Sequence, residues 1–177
     1  MTTPASLRLF FAVQVPAAVR ADLARACRRL SSDWKPVAEP QMHLTLAFLG
    51  EVPADRLAEV TAAGDRAAAG GQPFPLTLGA TDCFPNQHQP RVLFVKADAP
   101  PLIPLAAALQ KDLAAWADPK PFKPHLTLAR RQGGRAAHHA LQFAHSWTVD
   151  TFDLVQSVLA ASGATHTVVK TFRLGGA

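Results

Sequence analysis

Two identical five-residue segments carry the clearest alternation of polar and apolar positions along the chain. The sequence HLTLA occurs at residues 43–47 and again at residues 125–129. Alternation with a period of two is typical of a half-buried β-strand, in which residues i and i+2 point to the same side. Each copy is therefore predicted to form a strand that turns its leucines towards a core and its histidine and threonine away from it.

The remaining pattern predicts further helices and strands in a repeating order. Apolar residues at helical spacing predict helices over residues 17–30, 54–69 and 102–117, with a short helix over 134–145. Apolar or alternating runs predict strands over 7–15, 74–84, 91–97, 147–159 and 165–174. Residues 31–40 are predicted to be a loop. Each half of the chain thus contains a strand, a helix, an HLTLA strand, a further helix and a strand.

The repeat predicts the fold class. The second motif follows the first by nearly half of the chain, which favours an α+β fold of two pseudo-symmetric lobes, each an antiparallel sheet with helices on its outer face. A pseudo-two-fold axis would bring both histidine–threonine faces to one central cleft. We expect residues 1–177 to form a single domain made of these two lobes.

Composition narrows the class of protein. The chain has 177 residues, of which 49% are hydrophobic, enough for a sizeable core. Its formal net charge of +5 is compatible with a polyanionic partner, although a modest basic excess often serves only solubility. Cys27 and Cys83 form no CxxC motif, so a reducing, cytoplasmic compartment is expected. The apolar N-terminal run is interrupted by Gln14 and Pro16, so neither a signal peptide nor a membrane span is predicted.

The outward residues of the motif indicate a function. A core would accept other apolar residues for leucine, and a solvated face would accept many polar residues, yet both histidine and threonine are repeated. A zinc hydrolase is one alternative, but HExxH, HxxEH and CxxC motifs are absent, as are the nucleotide-binding motifs GxGxxG and GxxxxGK. A non-catalytic module that binds RNA ends in the same cleft is the second alternative, although binding alone does not require two matched titratable groups.

The chain resembles the 2H phosphoesterases, a family defined by two His-x-Thr-x motifs, and within it the RNA 2′,3′-cyclic phosphodiesterases, also called 2′-5′ RNA ligases. The likeness covers nearly the whole chain, and outside the motifs it includes RLFFA at 8–12, PRVL at 90–93, PFKPH at 121–125, SVL at 157–159 and SGA at 162–164. His166 departs from the pattern, since a tyrosine is expected there. The resemblance implies metal-independent hydrolysis of 2′,3′-cyclic phosphate RNA ends to 2′-phosphomonoesters, with 2′-5′ ligation as the reverse reaction. It implies no cofactor and no metal, and RNA ends, including tRNA fragments, or cyclic nucleotides as partners of a monomeric protein.

Hydrolysis of a cyclic phosphodiester needs one group to take a proton from water and another to protonate the departing ribose oxygen. Two imidazoles, each with an ordinary pKa of about 6.5, suit this task, but chemistry alone leaves open which one is the acid. By resemblance, His43 is the general acid and His125 the general base. Thr45 and Thr127 are expected to bind the substrate by donating hydrogen bonds to phosphate oxygens. A plain role as β-branched strand residues is the alternative for each threonine.

Arg130 matches the family pattern and is a candidate phosphate-binding residue. Strict alternation would put it on the leucine side of the strand, so this role requires a bulge or the end of the strand to turn it towards the phosphate. Phe10, Phe11 and Trp34 are candidate stacking surfaces for bases, although aromatic residues in strands usually belong to the core. Phe48 has the parity of the leucines and is predicted to be core. The other histidines, among them His166, are given no task.

Overall fold

The computed structural model describes residues 5–175. It contains three α-helices, α1 (Ala17–Cys27), α2 (Leu57–Ala69) and α3 (Leu102–Asp112), and two short 3-10 helices (Glu39–Gln41 and Ala54–Arg56) within that range. Its strands are β1 (Ser6–Gln14), β2 (Trp34–Pro36), β3 (His43–Pro53), β4 (Phe74–Phe84), β5 (Val92–Asp98), β6 (His125–Arg131), β7 (Ser146–Val149), β8 (Thr151–Ala160) and β9 (Gly163–Arg173). In the same range, no helix has the length and apolar character needed to cross a membrane.

The strands form two antiparallel sheets, as the sequence predicts. The first sheet has the order β3-β1-β8-β9 and the second β2-β6-β5-β4-β7. The two motif strands, β3 and β6, occupy equivalent places. Strand β3 pairs with β1, the first strand of the first half of the chain, and β6 pairs with β5, the first strand of the second half. The second sheet differs from the first by one additional edge strand, β2, beside its motif strand. The predicted α+β class with two antiparallel sheets is confirmed.

The two sheets do not coincide with the two halves of the chain. After the first motif the chain crosses to the second sheet, where β4 pairs with β5, and after the second motif it returns to the first sheet, where β8 pairs with β1. The predicted strand over 147–159 is broken at Asp150, with β7 in the second sheet and β8 in the first. This exchange ties the lobes together through continuous chain rather than through a single linker.

The helices follow the same exchange. Helix α1 follows β1 of the first sheet but packs on β6 of the second, and Cys27 Sγ lies 3.9 Å from the carbonyl oxygen of Leu128. Helix α3 follows β5 of the second sheet but packs on β3 of the first. Each connecting helix therefore covers the leucine side of the opposite motif strand, where Leu44, Leu46, Leu126 and Leu128 are all at most 1% exposed.

Two local predictions are wrong. Residues 134–145 form no helix; this stretch is irregular and bonds to β4, with the Thr81 N–H donating to the Leu141 carbonyl at 2.9 Å and the Phe143 N–H donating to the Gly79 carbonyl at 3.0 Å. The residues of this stretch favour a helix, but the neighbouring strand β4 offers unpaired backbone groups, and hydrogen bonds to these groups replace those of a helix. The loop predicted over residues 31–40 contains β2, which pairs with the end of β6.

Candidate active site

Both copies of the motif contain a β-bulge at the same residue. In the β1–β3 pairing Phe11 faces Ala47 and Ala12 faces Thr45, so Leu46 has no partner. In the β5–β6 pairing Leu93 faces Ala129 and Phe94 faces Thr127, so Leu128 is skipped in the same way. The burial of the five motif residues is also the same in the two strands, with leucine and the following alanine both buried. The repeated sequence therefore produces a repeated backbone irregularity as well as a repeated face.

The bulge reverses the parity of the residues that follow it. Arg130, predicted by strict alternation to lie on the leucine side, lines a cavity together with His125 and Thr127. Phe48, the equivalent residue of β3, was predicted to be core, and this is wrong. It is only partly buried and lines the wider groove beside the cavity, with the Arg8 guanidinium 4.8 Å from its ring centroid.

The five residues proposed from the sequence for catalysis and phosphate binding line one cavity of about 230 Å³ between the sheets. These residues are His43 and Thr45 from β3 and His125, Thr127 and Arg130 from β6. The cavity is completed by Val37, Gln41, Ala164 and His166. The structure thus brings the polar faces of both motifs together.

The two imidazoles are held in the same way. His43 Nδ1 lies 2.6 Å from the carbonyl oxygen of Gln41, and His125 Nδ1 lies 2.6 Å from the carbonyl oxygen of Lys123, in each case two residues earlier. A carbonyl oxygen only accepts, so each Nδ1 carries the hydrogen and donates it. The neutral form of each ring therefore has its lone pair on Nε2. His43 Nε2 is 3.0 Å from the Thr45 hydroxyl, which can donate to that lone pair.

The surroundings of the two imidazoles lower their pKa values. Burial lowers the pKa of His43 from 6.5 to about 4; the hydrogen bond to Gln41 opposes this, while His166, Arg130 and His125 add to it by charge repulsion. Burial also lowers the pKa of His125, and Arg130 adds to that lowering, while the hydrogen bond to Lys123 opposes it. His43 is stacked on Phe10 with ring centroids 4.9 Å apart, whereas His125 has the rings of Phe84 and Phe94 at its edge. The two rings are alike in orientation but differ in environment.

His166 lies in the site, although no role is predicted for it from the sequence. Its ring centroid is 5.5 Å from that of His43 and 5.1 Å from that of Phe10, and burial lowers its pKa. Strand β9 is largely exposed, so its hydrophobic pattern gave no sign of a face turned towards the site. The only indication was the family resemblance, in which a tyrosine is expected at the position of His166.

The three aromatic residues proposed for stacking have different places. Phe11 is fully buried against Phe152 and Phe172, and Trp34 is 3% exposed with its indole N–H donating to the Ala137 carbonyl at 2.9 Å. Neither is available to a base, so both proposals are wrong. Phe10 is 4% exposed and stacks on His43, so it is not available to a base either, and this proposal is also wrong.

A wider groove of about 640 Å³ adjoins the cavity and shares Thr45 and His125 with it. Its aromatic lining consists of Phe48, Phe84 and Phe122, and its charged lining includes Arg91, Lys120 and Lys123. The Lys123 ammonium lies 5.7 Å from the Phe84 ring centroid. This groove, rather than the three aromatics chosen from the sequence, offers flat apolar surfaces next to His125. Within residues 5–175, no group of three or more His, Cys, Asp and Glu side chains is arranged to hold a metal ion.

The chain belongs to the 2′-5′ RNA ligase superfamily, whose family model matches residues 15–159. The resemblance stated from the sequence is thereby confirmed. A curated protein of Thermus thermophilus named RNA 2′,3′-cyclic phosphodiesterase is 40% identical over 183 residues, covering 96% of this chain and 91% of the relative. The protein of the same name from Escherichia coli is 33% identical over 174 residues, covering 94% and 96%.

Solved structures of similar proteins have the same fold. The crystal structure of TT0787 of Thermus thermophilus superposes with a TM-score of 0.89 at 40% identity, over 96% of this chain and 99% of that one. Escherichia coli LigT complexed with 3′-AMP superposes with a TM-score of 0.84 at 30% identity, over 96% and 98%.

Proposed function

We propose that this protein is an RNA 2′,3′-cyclic phosphodiesterase that opens the cyclic phosphate at the end of an RNA to a 2′-phosphomonoester. The observation that carries the proposal is the convergence of both histidine–threonine faces on one cavity, with each Nδ1 bound to a carbonyl, so that proton transfer falls to Nε2 of each ring. Curated relatives that carry this name, at up to 40% identity over nearly the whole chain, support it.

In the proposed reaction, water attacks phosphorus as Nε2 of one neutral imidazole removes its proton. The bond from phosphorus to the ribose 3′-oxygen breaks, and Nε2 of the other, protonated imidazole delivers a proton to that oxygen. The products are a 2′-phosphate and a free 3′-hydroxyl. By family resemblance His125 is the base and His43 the acid. A 5′-hydroxyl of a second RNA in place of water would give a 2′-5′ linkage by the same proton transfers.

Three further side chains of the cavity can donate to the charge that develops on the phosphate. Arg130 presents a permanent positive charge to the non-bridging oxygens, and the Thr45 and Thr127 hydroxyls can donate hydrogen bonds to them. Phe48 and Phe84 in the adjoining groove are suited to stack on the terminal base. Cytoplasmic location and a monomeric state stay predictions from the sequence.

The pH dependence of the reaction follows from the lowered pKa values. Activity requires one imidazole protonated and the other neutral, a state most populated between the two pKa values whichever ring is the acid. Because burial lowers both pKa values below 6.5 in the free protein, we expect kcat/KM to give a bell centred below pH 6.5. The anionic substrate stabilises imidazolium and raises both pKa values, so the profile of kcat is expected at higher pH. Measurement of both profiles with a nucleoside 2′,3′-cyclic phosphate tests this, and coincident profiles centred above pH 6.5 would contradict it.

The decisive test of the function is incubation of an oligoribonucleotide ending in a 2′,3′-cyclic phosphate with the protein in the presence of EDTA. We expect conversion to a 2′-phosphomonoester, identified by phosphorus NMR, at a rate unchanged by EDTA. The same oligonucleotide ending in a 3′-phosphate serves as control and should be left intact. A 3′-phosphate product, or loss of activity with EDTA, would exclude the proposed mechanism. Tight binding of the cyclic end without turnover would favour a non-catalytic RNA-end-binding module.

A further inference from the structure

The edge strand β2 places a second cation beside Arg130. In the β2–β6 pairing Lys35 faces Arg130 directly. Residues directly opposite each other in an antiparallel pair project from the same face, with Cβ atoms about 5 Å apart. Val37, which shares the parity of Lys35, lines the same cavity as Arg130. Lys35 therefore projects on the side of the sheet that faces the cavity.

This pair of cations has no carboxylate partner in the part of the chain that the structure describes. Both side chains are exposed, and within residues 5–175 no ion pair joins either of them to an aspartate or glutamate. Like charges directly opposite each other on neighbouring strands are destabilising, and anions bound to them remove that cost. On an edge strand, a lysine can also serve only to prevent pairing with another chain. A lysine with that role alone would not need to lie directly opposite an arginine at the phosphate cavity.

The two lobes differ at this point, which gives the cleft a direction. Among the residues that the structure describes, the first sheet has no equivalent of β2, and its equivalent of Arg130 is Phe48. At this position the second sheet therefore presents two cations, Arg130 and Lys35, where the first sheet presents the ring of Phe48. A nucleotide end with a base on one side and a phosphate chain on the other matches this asymmetry.

We propose that Lys35 binds the phosphodiester that precedes the terminal nucleotide, while Arg130 binds the reacting cyclic phosphate. This inference rests on the proposed function and deepens it: the site is built for the end of a polynucleotide rather than for a free nucleoside cyclic phosphate. Lys35 is a specificity-determining residue and takes no part in proton transfer.

Two substrates that differ by one phosphodiester test the proposal, namely a nucleoside 2′,3′-cyclic phosphate and the dinucleotide that ends in the same cyclic phosphate. Lys35→Ala is expected to lower kcat/KM for the dinucleotide by about fivefold to tenfold, as for loss of one exposed charge-assisted contact, and to leave the mononucleotide unchanged. The slope of log kcat/KM against log salt concentration for the dinucleotide should become shallower by about 0.7. Lys35→Arg should retain most of the preference, and Lys111→Ala, an exposed lysine of α3, is the matched control.

The mononucleotide also reports whether the variant is folded. Equal losses of kcat/KM for both substrates, or no loss for either, would overturn the role of Lys35. The proposed function would still stand, because the wild-type protein would be active. If the wild-type protein hydrolysed neither substrate, the proposed function would fail, and this inference with it.

Discussion

His43→Ala and His125→Ala are each expected to lower kcat/KM for a 2′,3′-cyclic phosphate end by about 10²- to 10⁴-fold, the usual contribution of a general acid or base. Each ring holds its Nδ1 hydrogen on a backbone carbonyl and presents Nε2 to the cavity, so its removal leaves nothing else in the motif to carry that proton. The measurement is initial-rate hydrolysis of the oligonucleotide near its optimal pH. The double variant should be about as slow as either single variant, because acid and base act in one step.

His88→Ala is the matched control, because His88 is exposed in the turn between β4 and β5. It should retain wild-type turnover. Circular dichroism and thermal unfolding establish that the two inactive variants are folded, and His43→Gln and His125→Gln provide replacements closer in volume. If either alanine variant were folded and turned over within about tenfold of the wild type, the two-imidazole mechanism would be wrong.

The division of labour between the rings can be tested with a leaving group that needs no proton. For an aryl phosphodiester, the variant that lacks the acid should recover much of its rate relative to the wild type, whereas the variant that lacks the base should not. By the family assignment, His43→Ala is the variant that recovers. Recovery by His125→Ala instead would exchange the two roles and leave the pair intact.

Much of the site could be predicted because the motif encodes it locally. The alternation of polar and apolar residues predicts which side of a strand each residue faces. The duplication of the motif indicates that its two polar faces have a common function. The bulge could not be read so easily, since Leu46 and Ala47, like Leu128 and Ala129, are simply two apolar residues in succession. In retrospect that break in alternation, at the same place in both copies, is the signal that would have moved Phe48 out of the core and towards the site.

The pairing of the strands was harder to predict from the sequence than the site. A strand's period shows that one face is buried but does not name its partner, so the crossing of β4 and β8 to the opposite sheets left no local trace. Residues 134–145 contain good helix formers, but their backbone groups find partners on β4. Three-residue strand β2, with a proline at its end, is too short to show a period. The strand that carries Lys35 therefore could not be predicted from the sequence.

Arg130→Ala is expected to lower kcat for the cyclic phosphate by about 10²-fold, since donors aimed at developing charge are typically worth 10²- to 10³-fold each and the two threonine hydroxyls would remain. The bulge at Leu128 turns this guanidinium into the cavity with both imidazoles, so it can stabilise the negative charge that builds on the phosphate. Arg130→Lys should recover part of the loss, because the charge is restored but the two-pronged geometry is not. Steady-state kinetics of the three proteins on one oligonucleotide measures these effects.

Arg131→Ala is the control built into the same strand. Arg131 is the next residue along β6, equally charged and exposed, but its cross-strand partner is the buried Trp34, so it lies on the opposite face. It should leave kcat unchanged. Arg130→Ala should also move the kcat/KM profile to higher pH, because the positive charge that helps to lower the pKa values of His43 and His125 is gone. A kcat within about threefold of the wild type, together with an unchanged pH profile of kcat/KM, would show that the Arg130 side chain does not contact the reacting phosphate.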